Sequence, residues 1–131
     1  MGNDMKIMIV DDCHTTRKLL GHYLKSRGYS VVFAENGLEA LEKLGADNVN
    51  LVMTDLNMPF MDGMELIKTV RSDPALSDIP ILMVTTENDD IEREEAYSIG
   101  ANGYLVKPVS GDTIAQNIKD IITKGGQQEH G

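Results

Sequence analysis

Ile7-Met8-Ile9-Val10 runs straight into Asp11-Asp12, an apolar stretch of strand length that stops on two carboxylates. Three further stretches repeat the form. Leu51-Val52-Met53-Thr54 runs into Asp55, Ile81-Leu82-Met83-Val84 ends on Thr85, and Gly103-Tyr104-Leu105-Val106 ends on Lys107-Pro108. Runs this short and this apolar read as strands covered on both faces, the mark of a parallel sheet. Open parallel sheets bind their ligands at the carboxyl ends of the strands. The residues at those ends are therefore expected to converge as three carboxylates, a hydroxyl and an ammonium. Such a set suits a hard divalent cation and a phosphoryl group.

Helical spacing fills the gaps between these runs. After Asp12, the residues Leu19, Leu20, Tyr23 and Leu24 form an apolar stripe that closes at Arg27-Gly28. Ser30 to Ala34 reads as one more strand, and Asn36-Gly37 opens a short helix marked by Leu38, Leu41 and Leu44. Asp62-Gly63 opens a third helix bearing Leu66, Ile67 and Val70, stopped by Asp73-Pro74. A weakly amphipathic fourth runs from about Asp89 to Ile99 and ends at Gly100. In the fifth, Ile114, Ile118, Ile121 and Ile122 fall at i, i+4, i+7 and i+8, and Gly125-Gly126 is expected to end it. Five strands alternating with five helices predict an α/β domain with a doubly wound parallel sheet.

Composition narrows the function classes. The chain has 131 residues, 41% hydrophobic and 25% charged, a globular balance for one domain. Its net charge of -9 argues against nucleic acid and anionic membrane as partners, since both need a basic face. No apolar run approaches the roughly 20 residues that span a bilayer, so no membrane insertion is expected. The polar start Met1-Gly2-Asn3-Asp4 is unlike a secretion signal, and a lone cysteine, Cys13, allows no internal disulfide. A cytoplasmic location follows as the expectation.

The strand-end residues carry the chemistry. Three close carboxylates cannot all stay ionised comfortably without a compensating cation, and Mg2+ is the natural one, since it takes one or two carboxylates and completes its shell with water and phosphate oxygens. Lys107 adds a point charge that can pair with Asp55 at rest and with a phosphoryl oxygen later. An aspartate can serve as nucleophile in phosphoryl transfer, with positioning and charge neutralisation supplying most of the catalysis. Asp12 alone could be a helix N-cap. Caps, however, do not call for a lysine and a threonine at two further strand ends.

From Lys6 to about Thr123 the chain resembles the receiver domains of two-component response regulators. The resemblance rests on Val10-Asp11-Asp12, on Asp55 within Thr-Asp-Leu-Asn-Met-Pro-Phe-Met-Asp-Gly, on Thr85 in Val-Thr-Thr-Glu, and on Gly103 to Pro108. Within the family it is most similar to the stand-alone chemotaxis type, CheY. It implies a flavodoxin-like (βα)5 sheet, for which the strand order 2-1-3-4-5 is taken over from chemotaxis receivers. The domain then spans residues 6–124, with an N-terminal extension at 1–5 and a flexible tail at 125–131.

The same resemblance implies roles. Asp55 would be the phosphoacceptor, receiving its phosphoryl group from a histidine kinase. Asp12, Asp55 and the backbone carbonyl of Asn57 would ligate Mg2+, with Asp11 reaching it through water. Lys107 and Thr85 would bind the phosphoryl oxygens. Tyr104 would be the aromatic switch, turning inward as the Thr85 hydroxyl moves toward the phosphoryl group. Lys107-Pro108 would be cis. Asn57 and Glu87, each two residues beyond Asp55 and Thr85, would tune self-dephosphorylation through the path left for water. The chain would be a signalling phosphoacceptor rather than an enzyme, a monomer or weak dimer whose face of helix four, strand five and helix five controls a protein target. In the chemotaxis type the segment after the switch threonine is basic. Here Glu87 to Glu95 is strongly acidic, so either the target presents a differently charged, basic surface or the output differs altogether.

Other residues stay in plainer roles. His14, His22 and His130 lack metal-ligand spacing. Cys13 lies beside the acidic pocket, whose charge is expected to raise its thiol pKa. Met53 and Met83 belong to buried strands, and Met58 and Met61 to a loop where exposure is expected. A haloacid dehalogenase-type phosphohydrolase would need an Asp where Asn57 stands. A flavin or nucleotide carrier would need a Gly- or Ser/Thr-rich loop where Asp11-Asp12-Cys13-His14 stands. No output motif follows Thr123, so a stand-alone receiver is expected.

Overall fold

A computed structural model describes residues 5–130, with side chains through 124. The elements alternate: β1 (Lys6–Val10), α1 (His14–Ser26), β2 (Ser30–Ala34), α2 (Gly37–Ala46), β3 (Leu51–Thr54), α3 (Gly63–Ser72), β4 (Ile81–Thr85), α4 (Asp90–Ser98), β5 (Gly103–Val106) and α5 (Gly111–His130). The five strands form one parallel sheet in the order β2-β1-β3-β4-β5, as expected. Residues 1–4 of the expected N-terminal extension lie outside the described residues, as does residue 131 of the tail.

Side chains alternate across the sheet, which gives it two cores. Met8, Val10, Val52, Ile81 and Met83 face α2, α3 and α4, whereas Ile7, Ile9, Leu51, Met53, Leu82 and Val84 face α1 and α5. The isoleucine stripe of α5 delivers Ile114, Ile118 and Ile121 to the second core. Two expected core positions do not arrive. Leu19 and Leu38 are 66% and 53% exposed, because each lies at the edge of its helix's apolar arc, turned past the sheet it was expected to cover.

Helix ends follow local chemistry. Asn36 caps α2 by accepting from the Glu39 N–H, and Asp62 forms a capping box with Glu65 at the start of α3. Gly28 and Gly100 take φ of 97° and 119° just past α1 and α4, a conformation that favours glycine. Cys13, not Asp12, occupies the N-cap position of α1. Helix α5 continues through Gly125-Gly126 to His130 instead of ending at the pair. Glycine weakens a helix, but it ends one only where the backbone turns left-handed.

One arginine fastens the end of the sheet opposite the aspartates. Arg71 donates to the carbonyls of Gly100, Ser77 and Ile79 and to Asn102 Oδ1, at 2.7–3.1 Å. Arg71→Ala strands these acceptors at the junction of α3, β4 and β5. It is expected to lower stability by about 2–3 kcal/mol, read as a shifted urea midpoint at unchanged slope.

Candidate functional site

Register brings the strand-end residues together. Val10 pairs with Thr54, so the residues that follow each of them emerge side by side, and the Asp55 N–H donates to the Val10 carbonyl at 2.9 Å. Oxygens of Asp11, Asp12 and Asp55 all lie within 4.8 Å of one another. Lys107 arrives from β5, its backbone N–H donating to the Thr85 carbonyl at 2.7 Å, and the Lys107-Pro108 bond that follows it is cis. Its Nζ lies 2.9 Å from Asp11 Oδ2 and 3.4 Å from Asp55 Oδ2. The resting partner is therefore first Asp11, with Asp55 second. Asp11 is 3% exposed, and a carboxylate that deep needs a cation more than the shallower Asp55 does.

Backbone groups orient the two deeper acids. Cys13 N–H donates to Asp11 Oδ1 at 2.9 Å, and Leu56 N–H donates to Asp55 Oδ1 at 2.6 Å. Arg17 donates to the Asp11 carbonyl at 2.6 Å, a role with no signature in the sequence. Gly63 is equally inconspicuous there, yet a Cβ on it would stand 2.4 Å from the Asp55 carbonyl oxygen. Only glycine lets α3 start so close to the acidic loop. Asp12 is exposed at the mouth.

Burial alone would lower the pKa of Lys107, but the hydrogen bond to Asp11 and the charges of Asp55 and Asp11 outweigh it, and the net shift is upward. Cys13 goes the other way from expectation. Its thiol is exposed and its pKa lowered, because hydrogen bonds with Thr16 outweigh the opposing charge of Asp11. The sequence shows the charge but not which hydroxyl turns toward the sulfur.

A second set of contacts runs from the mouth toward α4. Thr85 is fully buried, since β4 is covered on both faces. Its hydroxyl accepts from the Glu87 N–H at 3.3 Å. The Glu87 carboxylate accepts from the Asn57 side-chain amide at 3.0 Å, and the Glu87 carbonyl accepts from the Tyr104 hydroxyl at 2.9 Å. Tyr104 points inward and is 6% exposed. Met58 and Met61 are half-buried against the core instead of exposed. His14 and His22 are exposed and outside the acidic cluster, and His130 lies beyond the described side chains.

The response regulator receiver domain family matches residues 7–119. The chain belongs to that family. This receiver is 40% identical over 120 residues to the chemotaxis protein CheY1 of Helicobacter pylori, covering 90% of this chain and 97% of that protein. It is 38% identical over 123 residues to the CheY homolog of Campylobacter jejuni, covering 92% and 95%. Among solved structures it is similar to the chemotaxis response regulator CheY4 of Vibrio cholerae, with a TM-score of 0.85 and 35% identity over 91% of this chain and 99% of that one. The family is a signalling module, not an enzyme in the usual sense, and implies a histidine kinase as phosphodonor and a downstream target. Receivers bind Mg2+ as a class, and the all-oxygen cluster of Asp11, Asp12 and Asp55 fits that ion. Among the described residues no helix is long and apolar enough to cross a membrane.

Proposed function

We propose that Asp55 accepts a phosphoryl group from a kinase phosphohistidine and that its arrival reshapes the face made by α4, β5 and α5. The supporting observation is the setting of Asp55, grouped with the carboxylates of Asp11 and Asp12 and 3.4 Å from the Lys107 ammonium, which bridges it to Asp11. A carboxylate oxygen of Asp55 attacks phosphorus, the histidine N–P bond breaks, and the imidazole leaves with the bonding pair. Leu56 N–H holds the other oxygen, which orients the attacking one. Lys107 moves its charge from Asp55 to the phosphoryl oxygens, and the Thr85 hydroxyl supplies a second contact.

Asp12, Asp55 and the Asn57 carbonyl would hold Mg2+, with Asp11 reaching it through water. When bound, the ion neutralises charge that would otherwise accumulate on the transferring oxygens. The chain thus assists its own phosphorylation and dephosphorylation. The Asn57–Glu87 hydrogen bond lies on the path of attacking water and sets how long the acyl phosphate lasts.

Output follows from Thr85 and Tyr104, both joined to Glu87. Phosphate shifts the receiver only by its difference in free energy between the two states. The target therefore binds the phosphorylated form more tightly, and the acidic run from Asp89 to Glu95 selects a basic docking surface. Reversal of both charges (Asp89→Lys, Asp90→Lys) is expected to weaken target binding about tenfold at low salt while Asp55 is phosphorylated normally. Binding indifferent to the reversals would remove α4 from the interface.

The Mg2+ requirement tests the site itself. Titration followed by amide shifts near Asp12 is expected to saturate in the wild type and to weaken at least about tenfold in Asp12→Ala, with phosphoryl uptake from acetyl phosphate falling in parallel. Unchanged binding in Asp12→Ala would take Asp12 out of the shell.

A further inference from the structure

Helix α4 carries five carboxylates at and beyond its cap, on Asp89, Asp90, Glu92, Glu94 and Glu95, and a single cation, Arg93. An arginine so placed would ordinarily pair with a neighbouring acid. Among the described residues it makes no ion pair within 4.0 Å, and its guanidinium instead lies 5.3 Å from the centroid of the Tyr104 ring. The ring is thus held at two points, by its hydroxyl on the Glu87 carbonyl and by the cation over its face.

We propose that Arg93 is a positioning residue that clamps Tyr104 inward before phosphorylation, so that this receiver rests with its switch aromatic largely in the inward position. The proposal rests on reading Tyr104 as the switch. Its physical basis is the sign of the surroundings. An aromatic face is negative, and after the larger effect of burial the charges of Glu92, Glu87 and Asp89 also raise the Tyr104 pKa. Arg93 is the cation that opposes them, and it makes a negative pocket tolerable for a π face. Without it, the inward ring would lie in a field set by those carboxylates with no cation over its face. Because Arg93 belongs to α4, the same contact ties the position of that helix to the ring.

The consequence concerns what phosphorylation has left to do. If the ring is already inward, activation moves chiefly Thr85 and α4, and the unphosphorylated chain retains some affinity for its target. A half-exposed cation over a buried ring shifts the inward-to-outward ratio by roughly two- to fivefold.

The test labels the full chain with 3-fluorotyrosine and follows 19F resonances of its four tyrosines, with the Tyr104 signal assigned by its loss in Tyr104→Phe. In the wild type this signal is expected to move little when beryllofluoride and Mg2+ are added. In Arg93→Ala it is expected to start nearer the position of an exposed tyrosine and to move several times further on activation. Arg93→Lys, which keeps the charge, is expected to fall between. The signals of Tyr23 and Tyr29 report that the fold is unchanged. A Tyr104 signal that Arg93→Ala leaves in place, or one that moves equally far on activation in both proteins, overturns the clamp. A signal displaced by Arg93→Ala but unmoved by bound beryllofluoride in either protein upholds the clamp and overturns the switch reading instead.

Discussion

Asp55→Asn is expected to take up phosphate from acetyl phosphate and Mg2+ at least about 10³-fold more slowly than the wild type, because the amide is no nucleophile. The variant is a clean one. Asparagine Oδ1 can still accept from the Leu56 N–H that holds Asp55 at 2.6 Å, so the loop after β3 keeps its anchor. Lys107 keeps its nearer partner, Asp11. Loss of uptake with an unchanged melting curve would therefore report the chemistry of one side chain and not a collapse of the pocket. Uptake equal to wild type would send the phosphoryl group elsewhere.

Lys107→Ala is expected to separate two properties that the wild type joins. Phosphoryl uptake should fall about 10²-fold, because the ammonium no longer meets the charge developing on the transferred oxygens. Mg2+ should bind roughly tenfold more tightly, since the cation now enters a pocket with one positive charge fewer. With EDTA present, the variant should also melt earlier, as Asp11 is left buried without its partner, and added Mg2+ should recover part of the loss. The pH dependence has a definite sign. The Lys107 pKa is raised above its ordinary value of 10.5. Its contribution to stability is therefore whole below that value and disappears as pH climbs through the folded one. Wild type and Lys107→Ala should thus converge in strongly alkaline solution and differ at neutral pH. Melting scans at several pH values with and without Mg2+ check all three points, and weaker Mg2+ binding in the variant would contradict the arrangement.

The fold was legible because a strand buried on both faces leaves an uninterrupted apolar run, and this chain has four. Asn36, Asp62 and Gly100 announced helix ends by chemistry that acts within a few residues. The strand ends therefore named their own acids, hydroxyl and ammonium. What was hidden acts over longer distances or through rotamers. The preference of Lys107 for Asp11 over Asp55 depends on relative depth, which no spacing records. Arg71 reaches carbonyls on two other loops, and Gly63 matters through contact with a backbone eight residues earlier. The lowered thiol pKa of Cys13 depends on how Thr16 turns. Leu19 and Leu38 show the opposite limit, since a leucine at the rim of a helical stripe looks the same as one at its centre.

The phosphoryl group of the wild-type chain can be located directly. After incubation with acetyl phosphate and Mg2+, borohydride reduces an aspartyl phosphate to homoserine while leaving free carboxylates untouched. Peptide mass spectrometry then reads the modified position. Homoserine at position 55, at that position only and only when Mg2+ was present, is the predicted result. Homoserine at Asp11 or Asp12, or none at all in a chain that has bound phosphate, would contradict the account.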